Sequence, residues 1–525
     1  MLKFLLFNVP SRVGPGGYFW PLGLIYAGSI IKRNGHQVKI VDLYDENNFM
    51  PRDVDFVLKI VAKHNPDVVG YGGIASSYPN AKIYALAIRS KFPGITQIAG
   101  GALSSTYDLL LEKAKLDFVF HGEAEEALPQ WIKALSNGND LDGIDGISYM
   151  GNSRIVRKPL SRQIQDLDEV PFPDYNILHN PQGYFEYADH HFKIAPKIFD
   201  YRGRLSKKTL DLIAANPAFM TIVTSRGCSH SCSFCYRHFK GIRKHSVGYI
   251  VEHLVCLKKQ FNVGGFRIGD EFFNTSKKWV SDFCDALEKA DLNIFYKIAG
   301  ARVSAMDKDM LVRLRDSGCF EIDYGFESGS DKILKEFSKG VTRAQNIQAA
   351  KDAHDVGLSA PVQLVIGSPG ENDGTINETV SMLKEIKSYV YSLNYLIALP
   401  ETPIWKYCRE NSLISDPEEH LKNVVNLGGL YYLNLTKLPY PKVMGWRLRI
   451  KSEMDAQYFR DKGKFAFFIL HKLFSCLYSF YPFLFYREKL RVVYKALKLN
   501  RLRARFTTLN GAYGYKKGVY KVVVS

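Results

Sequence analysis

The sequence predicts an α/β chain: a doubly wound parallel sheet, then a partial (β/α)6 barrel, then a helical, basic C-terminal region. In both halves, short runs rich in β-branched residues alternate with helical stretches, which is typical of βα units in parallel sheets. An excess of basic residues distinguishes the C-terminal region from the rest of the chain. Residues 437–525 contain 20 Lys and Arg against 4 Asp and Glu, and the whole chain has a net charge of +17. We therefore predict four parts, at 1–140, 141–214 (a linker), 215–435 and 436–525.

The first part is predicted to contain five parallel strands. Met1–Phe7 already has the pattern of the first strand, so we predict no signal peptide. Ligands of a doubly wound sheet bind at the carboxyl ends of its strands, and glycine there lets a bulky planar ligand approach the backbone. The strands are Leu2–Phe7, Gln37–Val41, Asp67–Gly70, Thr96–Ala99 and Asp117–Phe120. The candidate ligand contacts at that edge are Gly72, Ser76, Gly100, Gly101, Gly122 and Glu123.

Three cysteines carry the strongest chemical signal of the chain. Cys228, Cys232 and Cys235 have Cys-x3-Cys-x2-Cys spacing and follow the apolar run Met220–Thr224. Thiolates are soft ligands, and three of them can hold three corners of an iron–sulfur cube while the fourth iron stays open to a small molecule. Three unrelated core cysteines are one alternative. A zinc site is another, but zinc motifs usually add a second cysteine pair, which this sequence lacks.

The other five cysteines have no ligand spacing, and we interpret them as core residues. They are Cys256, Cys284, Cys319, Cys408 and Cys476. No disulfide framework is implied. An oxygen-sensitive cluster would fit a reducing cytoplasm, which is where we expect the protein to be.

Six strands are predicted for the third part, enough for an open, partial barrel. Barrel enzymes carry their chemistry on loops at the carboxyl ends of the strands, and polar residues of this chain gather there. The strands are Met220–Thr224, Gly265–Asp270, Ile294–Ala299, Glu321–Phe326, Val362–Ile366 and Leu393–Ala398. The candidate site residues that follow them are Asp270, Glu271, Arg302, Glu327, Ser328, Gly367 and Glu371.

The cysteine loop, with Phe234 before its last cysteine, resembles the signature of the radical S-adenosylmethionine (SAM) superfamily. In that family the three cysteines hold a [4Fe–4S] cluster whose open iron binds the amino and carboxylate groups of SAM. Cleavage of SAM then gives a 5′-deoxyadenosyl radical that removes hydrogen from an unactivated carbon. The resemblance implies that Asp270 or Glu271 binds the SAM amino group, that Glu327 binds the ribose, and that the turn Gly367–Glu371 passes the adenine.

The first part resembles the cobalamin-binding domain that is fused to many radical SAM enzymes. Asp166–Asp174 matches the usual linker of that family, and its prolines favour a stiff, extended connection. Two departures matter: Leu103 or Ser104 stands where the family often has a histidine, and the Asp-x-His-x-x-Gly loop is missing from this part. The resemblance therefore implies cobalamin without a histidine on cobalt. The matching segments are Pro21–Leu24, Gly35–Val38, Val41–Asp42, Gly100–Gly101 and Gly122–Glu125.

A literal copy of that axial-histidine pattern occurs at Asp352–Gly357, with His354 at its centre. It lies far from the first part, at the end of a predicted barrel helix, where Gly357 has the position of a C-cap. We therefore do not assign it to cobalt.

The resemblance implies a cobalamin-dependent radical SAM methyltransferase that acts on an unactivated carbon of a small molecule or a lipid. One SAM would methylate cobalt, and a second would give the radical that activates the substrate. An electron donor such as flavodoxin or ferredoxin is implied as well. Two alternatives stay open: a member of the same family that forms a ring or a carbon–carbon bond without methyl transfer, and a non-catalytic iron–sulfur or corrin-binding protein.

The C-terminal region contains a long apolar and aromatic stretch, Phe465–Tyr486, among its basic residues. His471, Lys472 and Pro482 interrupt it, so it fits a segment that lies in the membrane interface better than one that spans the bilayer. We predict peripheral contact with the inner face of the membrane. The alternative is a buried helical cap with a solvated basic face, and no motif favours binding to nucleic acid.

Overall fold

The computed structural model describes residues 1–11, 20–44, 51–136, 141–185, 207–216, 218–237, 241–389, 391–424 and 433–480. The strands are β1 Lys3–Asn8, β2 Gln37–Asp42, β3 Val68–Gly72, β4 Thr96–Gly100, β5 Phe118–Phe120, β6 Ile147–Gly151, β7 Arg154–Arg157, β8 Phe219–Ile222, β9 Ser225–Arg226, β10 Arg243–Lys244, β11 Gly265–Ile268, β12 Phe295–Ala301, β13 Cys319–Glu327, β14 Val362–Ile366 and β15 Tyr391–Tyr395.

The helices alternate with most of these strands. They are α1 Leu22–Arg33, α2 Val54–His64, α3 Tyr78–Lys91, α4 Tyr107–Glu112, α5 Ala124–Ser136, α6 Lys207–Ala215, α7 Val247–Phe261, α8 Lys277–Ala290, α9 Lys308–Asp316, α10 Asp331–Glu336, α11 Arg343–Asp355, α12 Asp373–Glu385, α13 Pro403–Glu410, α14 Pro417–Asn423, α15 Tyr440–Asp461 and α16 Phe465–Phe480.

The first sheet has the strand order β2-β1-β3-β4-β5-β6-β7. Strands β1 to β5 are parallel, as predicted, and β6 and β7 add an antiparallel hairpin at the edge. Asn152 and Ser153 form the hairpin turn, and both have the positive φ of a tight two-residue connection. Residues 147–157 therefore belong to the sheet, although we predicted them to be part of the linker.

Helices cover both faces of the first sheet, which explains why β1 is apolar along its length. Phe4 and Leu6 belong to one core cluster, and Leu5 and Phe7 belong to the other. The cluster that contains Phe4 continues into the barrel. Trp20 lies in it, stacks on Tyr184 at 4.6 Å and donates to the Phe219 carbonyl oxygen at 3.4 Å. The two domains are thus packed on one continuous core.

The second sheet has the order β15-β14-β13-β12-β11-β8, and all its pairs are parallel. This is the predicted six-stranded partial barrel, in which β8 and β15 are the edges. Alternate residues point to opposite faces of each strand. Ile298 and Ile322 pack in the core beneath the outer helices, whereas Lys297 and Glu321 face the inside and form an ion pair at 3.0 Å.

The proline-rich connection touches both domains. Asp174 accepts a hydrogen bond from Lys32 of α1, and its backbone N–H donates to the Ser29 hydroxyl at 2.8 Å. Asp168 accepts from the Ser246 backbone at the start of α7, at 3.0 Å. The connection is therefore fixed at both ends by its acidic residues.

Helices α15 and α16 form an antiparallel hairpin on the outside of the barrel. Trp446 of α15 donates to Asp373 of α12 at 2.9 Å, and Phe459 of α15 stacks on Phe467 and His471 of α16. Among the described residues, no helix is both long and apolar enough to cross a bilayer. The rest of the predicted apolar stretch, 481–486, lies outside the described residues.

Most of the cysteines outside the loop lie in the core. Cys284, Cys319 and Cys408 are buried core residues as predicted, but Cys256 is exposed on α7, where the helix turns that face to solvent. The side chain of Cys476 lies outside the described residues.

Helix α11 ends at Asp355, and Gly357 has φ +83°. The copy of the axial-histidine pattern at Asp352–Gly357 is therefore a helix end, as we interpreted it.

Candidate active site

The cysteine loop begins at β9 and is held by the backbone of three other segments. Gly227 has φ +87°, and a side chain there would bring Cβ within 2.5 Å of the Gly241 carbonyl oxygen. Ser233 donates to the Phe337 carbonyl oxygen and accepts from the Ile404 backbone, each at 3.0 Å. Cys228 and Cys232 lie between Gly227 and Ser233, and Cys235 follows Ser233 by two residues.

The environment of the three thiols suits a metal cluster. Cys232 is buried, Cys228 is half-buried and Cys235 is exposed. The pKa of Cys232 is lowered to about 6, first by a hydrogen bond with Cys235 and then by the charge of Lys339 and the hydrogen bond from Arg302. Thiolates are the form that binds metal. In the described part of the chain, no three His, Cys, Asp or Glu side chains come close enough together to hold a single metal ion. The donor set of three thiols on one loop fits a cluster.

Two cations lie beside Cys232. Nη1 of Arg302 is 4.0 Å from its Sγ, and Nη2 donates to the Lys339 carbonyl oxygen. The backbone of Arg302 exchanges two hydrogen bonds of 2.9 Å with the Asn274 side chain, which fixes the start of the arginine side chain. Nε of Arg302 is buried without a partner among the described residues. We predicted Arg302 from its place after β12, but no pattern in the sequence distinguished Lys339 from other lysines.

Asp270 and Glu271, which the sequence could not separate, have different surroundings. Asp270 is 4% exposed and accepts from the Thr224 backbone at 2.7 Å, the Ser225 hydroxyl at 2.8 Å and the Thr224 hydroxyl. Its carboxylate thus holds the start of the cysteine loop, and burial raises its pKa. Glu271 is exposed, and the structure gives it no hydrogen-bond partner among the described residues.

Glu327 ends β13 in an unusual backbone conformation. Its φ of +60° is rare for a residue other than glycine, and such strain often marks a functional position. Its Oε1 accepts from Lys339 at 2.8 Å, and a Cβ on Gly325 would approach that oxygen to 2.5 Å. Gly325 therefore makes room for the Glu327–Lys339 pair on the inner face of the barrel. The pair brings the residue predicted to bind ribose close to Cys232.

Ser328 and Glu371 shape the loops that carry them. The Ser328 hydroxyl lies 3.4 Å from that of Thr379 and accepts from the Ser330 backbone at 3.1 Å. One oxygen of Glu371 accepts from the backbone of Gly367 and Ser368, while the other is buried without a partner in the described part of the chain. Burial raises the pKa of Glu371 to about 7. The carboxyl thus holds the turn after β14 from the inside.

The predicted cobalamin contacts of the first domain lie along the carboxyl edge of its sheet. Gly72 is at the end of β3, where a Cβ would come within 2.6 Å of the Leu24 side chain. Ser76 is buried, and its hydroxyl has no partner among the described residues. Gly100 ends β4, and Gly101, with φ +68°, has open space where a Cβ would be. Backbone is therefore accessible at the half-buried Gly100 and the exposed Gly101, whereas Gly72 and Ser76 are buried.

Gly122 and Glu123 follow β5, and Glu123 connects the two domains. Its carboxylate accepts two hydrogen bonds from Arg243, at 2.9 and 2.6 Å, and lies 3.3 Å from Arg226. Burial alone would raise the pKa of Glu123. The hydrogen bond from Arg243 and the charges of both arginines outweigh this effect, so the pKa is below its usual value. Arg226 also pairs with Glu125 at 2.7 Å. Because Arg226 precedes Cys228 by two residues, this network joins the cysteine loop to the edge of the first sheet.

Of the histidines of the first domain, His36 and His121 have hydrogen-bond partners within it, and Nε2 of His64 is buried without one among the described residues. His121 is buried, with Nε2 2.8 Å from the Ser148 hydroxyl of β6. Nδ1 of His36 accepts from the Leu2 backbone at 3.1 Å. His64 lies at the end of α2, and its ring is 6.3 Å from that of His179.

Two family models match the two parts of this geometry. The one described as radical SAM superfamily covers residues 222–383, and the one described as B12 binding domain covers residues 13–132. The chain is a radical SAM enzyme with a B12-binding domain. Its cofactors are a [4Fe–4S] cluster, SAM and cobalamin.

Known proteins resemble this radical SAM enzyme over most of its length. It is 28% identical to an uncharacterized methyltransferase of Pyrococcus horikoshii, over 79% of this chain and 84% of that one. It is 23% identical to the cytidylyl-2-hydroxyethylphosphonate methyltransferase of Streptomyces wedmorensis, over 78% and 83%. Its fold matches the cobalamin-dependent radical SAM enzyme OxsB, solved with aqua-cobalamin and SAM, with a TM-score of 0.64, 18% identity and coverage of 95% and 75%.

Proposed function

We propose that this enzyme is a cobalamin-dependent methyltransferase that methylates an unactivated carbon. The observation that carries the proposal is the Arg226–Glu123 network, which holds the cysteine loop against the carboxyl edge of the first sheet. Methyl transfer through cobalt needs the radical site and the corrin close to each other, and this network supports that proximity. The methyltransferase names of two relatives add to it.

We assign roles to the residues as follows. Cys228, Cys232 and Cys235 hold the cluster. Glu271, whose carboxylate accepts no hydrogen bond within the described part of the chain, binds the SAM amino group, while Asp270 braces the loop. Glu327 binds the ribose hydroxyls, and Arg302 and Lys339 supply positive charge for the SAM carboxylate. Gly72, Ser76, Gly100, Gly101 and Gly122 support the corrin, and the turn Gly367–Glu371 lies beside adenine.

When bound, the cluster supplies the electron that cleaves SAM, and cobalamin carries the methyl group. The protein binds and orients these groups. Because each turnover needs electrons, a small redox protein such as flavodoxin or ferredoxin is the partner we propose. The exposed Cys235 side of the loop is the end of the site nearest to solvent.

The experiment uses enzyme reconstituted with iron, sulfide and cobalamin, reduced, and supplied with a small-molecule extract of the producing cells and with SAM whose methyl group is isotopically labelled. We expect 5′-deoxyadenosine together with a product that has gained the label. A product without labelled methyl would favour ring or carbon–carbon bond formation instead, and loss of both would exclude catalysis. In the variants C228A, C232A and C235A, 5′-deoxyadenosine should disappear. The matched control is C256A, which removes an exposed thiol on α7.

We also propose that α16 makes peripheral contact with an anionic membrane. Phe465, Ile469 and Leu473 are 65%, 56% and 57% exposed, and their spacing of four residues places them on one face of the helix. The exposed Lys462 and Lys464 precede this stripe. An apolar stripe beside basic residues is the pattern of a helix that lies in the lipid interface.

A further inference from the structure

The inner face of the barrel is built in layers, and its lowest layer is aromatic. Phe295 of β12 stacks with Phe219 of β8, with ring centres 6.1 Å apart, and meets the ring of Phe320 at 5.8 Å. Ile213 of α6 joins this cluster. The cluster closes the bottom of the barrel, so any substrate pocket lies above it, toward Glu327 and Cys232.

The layer above the aromatic floor is ionic. Lys297 of β12 lies 3.0 Å from Glu321 and 3.8 Å from Asp323 of β13. Arg267 is the next inner residue on β11, in register with Lys297, and its charge acts on Asp323. Glu321 also accepts from the Ser359 hydroxyl at 3.1 Å. Two cations and two carboxylates therefore occupy the middle of the barrel, where an apolar pocket would have aliphatic side chains.

The inner face of the last two strands carries three polar side chains, with the apolar Val365 above Gln363 on β14. Gln363 of β14 is in register with Gly325, one residue pair below Glu327, and it is exposed. Ser392 of β15 is opposite Gln363 and is also exposed, and Asn394 follows on the same face, half-buried. The structure gives these three side chains no hydrogen-bond partners within the residues it describes. They are thus available to a ligand.

We infer that the barrel binds a small, water-soluble substrate that carries ionised or hydrogen-bonding groups, and not the acyl or isoprenoid chain of a lipid. The inference rests on the proposed function, because it places the substrate next to the SAM site. A hydrocarbon chain in this space would remove water from Lys297, Asp323 and Gln363 without replacing their hydrogen bonds, which is costly. A polar molecule would replace those hydrogen bonds through its own donors and acceptors.

The test divides an extract of the producing cells into a chloroform-soluble and a water-soluble small-molecule fraction. Each is added to the reduced, reconstituted enzyme with methyl-labelled SAM, and 5′-deoxyadenosine formation and label transfer are measured separately. We expect only the aqueous fraction to raise 5′-deoxyadenosine formation above its rate without substrate. Acceleration by the chloroform fraction, or by neither, overturns the inference. Acceleration without label transfer would instead contradict methyl transfer and leave the substrate class supported.

Variants of barrel residues test whether the aqueous fraction accelerates 5′-deoxyadenosine formation by binding inside the barrel. Q363L and N394L each remove a side chain without an internal partner in the described part, so folding should be retained. Each of these two substitutions removes a hydrogen bond to the substrate. The acceleration of 5′-deoxyadenosine formation should therefore fall by about 10-fold or more, or more of the aqueous fraction should be needed for half of the full acceleration. K297M tests the ionic layer, and K278M, on the exposed side of α8, is its matched control. Full acceleration in Q363L, N394L and K297M would overturn the assignment.

Discussion

Nη1 of Arg302 lies 4.0 Å from Sγ of Cys232, the most buried of the three loop cysteines. The arginine is held by Asn274 on one side and by the Lys339 backbone on the other, so its charge cannot move away easily. A fixed cation beside a cluster ligand stabilises the more negative, reduced state of the cluster. In the proposed site, the same charge would also attract the carboxylate of SAM.

This proximity gives the first prediction. R302M should lower the reduction potential of the cluster and weaken SAM binding, because the variant keeps the length of the side chain but loses its charge. Spectroelectrochemical titration and equilibrium binding of SAM measure the two effects. R313M, on the exposed side of α9, is the control and should change neither. An unchanged potential in R302M would remove Arg302 from the surroundings of the cluster.

The two neighbouring acids should behave differently. E271Q should weaken SAM binding by about 10- to 100-fold, the effect of one lost charge-assisted hydrogen bond. D270N should instead lower the thermal unfolding midpoint and cluster content, because it disturbs the contacts with Thr224 and Ser225. Calorimetric SAM binding, iron analysis and thermal unfolding of both variants distinguish the roles. Equal SAM affinity in E271Q and the natural protein would contradict the assignment.

Cobalt should have no protein histidine as a ligand. The electron paramagnetic resonance spectrum of the Co(II) form should therefore lack nitrogen superhyperfine splitting. H121A should leave that spectrum unchanged while it destabilises the sheet, since the ring contacts Ser148 and Tyr107. Splitting that disappears in H121A would show that this histidine moves onto cobalt.

Glu371 should make stability depend on pH. Its carboxyl has a pKa of about 7 in the folded protein and 4.5 when unfolded, so the unfolded chain ionises first and stability falls as pH rises between these values. Glutamine keeps the acceptor for Gly367 and Ser368 but cannot ionise. The stability of E371Q relative to the natural protein should thus increase from pH 4.5 to 7, by on the order of 3 kcal/mol. Unfolding followed at several pH values measures this, and a constant difference would contradict it.

The stripe on α16 should bind anionic liposomes at low salt. Each basic residue near the lipid contributes about 1 kcal/mol, and salt screens this attraction. The variant F465S/I469S/L473S should lose sedimentation with the liposomes and still cleave SAM. I83S/L86S, which changes two exposed apolar residues of α3, is the matched control. Unchanged sedimentation of the triple variant, or none for the natural protein, would leave α16 as a structural cap.

The sequence predicted the parts of this molecule that follow from local pattern and missed those that depend on packing. Hydrophobic runs identified the strands of both sheets, and the cysteine spacing identified the loop. The hairpin of β6 and β7 was missed because its strands are short and its turn, Asn152–Ser153, has no glycine. Lys339 was missed because only the folded barrel brings it beside Cys232, where it pairs with Glu327 at the end of β13. Sequence adjacency also could not show that Asp270 is enclosed while Glu271 is exposed.

Glu123, Glu125, Arg226 and Arg243 also bear on how such enzymes are engineered. The first domain supplies both carboxylates, from the start of α5 and the loop before it, and the barrel supplies both guanidinium groups. A chimera that joined this barrel to the first domain of another enzyme would remove the carboxylate partners of these two half-buried arginines, unless acids were present at the same two positions. The halves of this chain are thus matched to each other, and an exchange of one half requires transfer of the charges at its border.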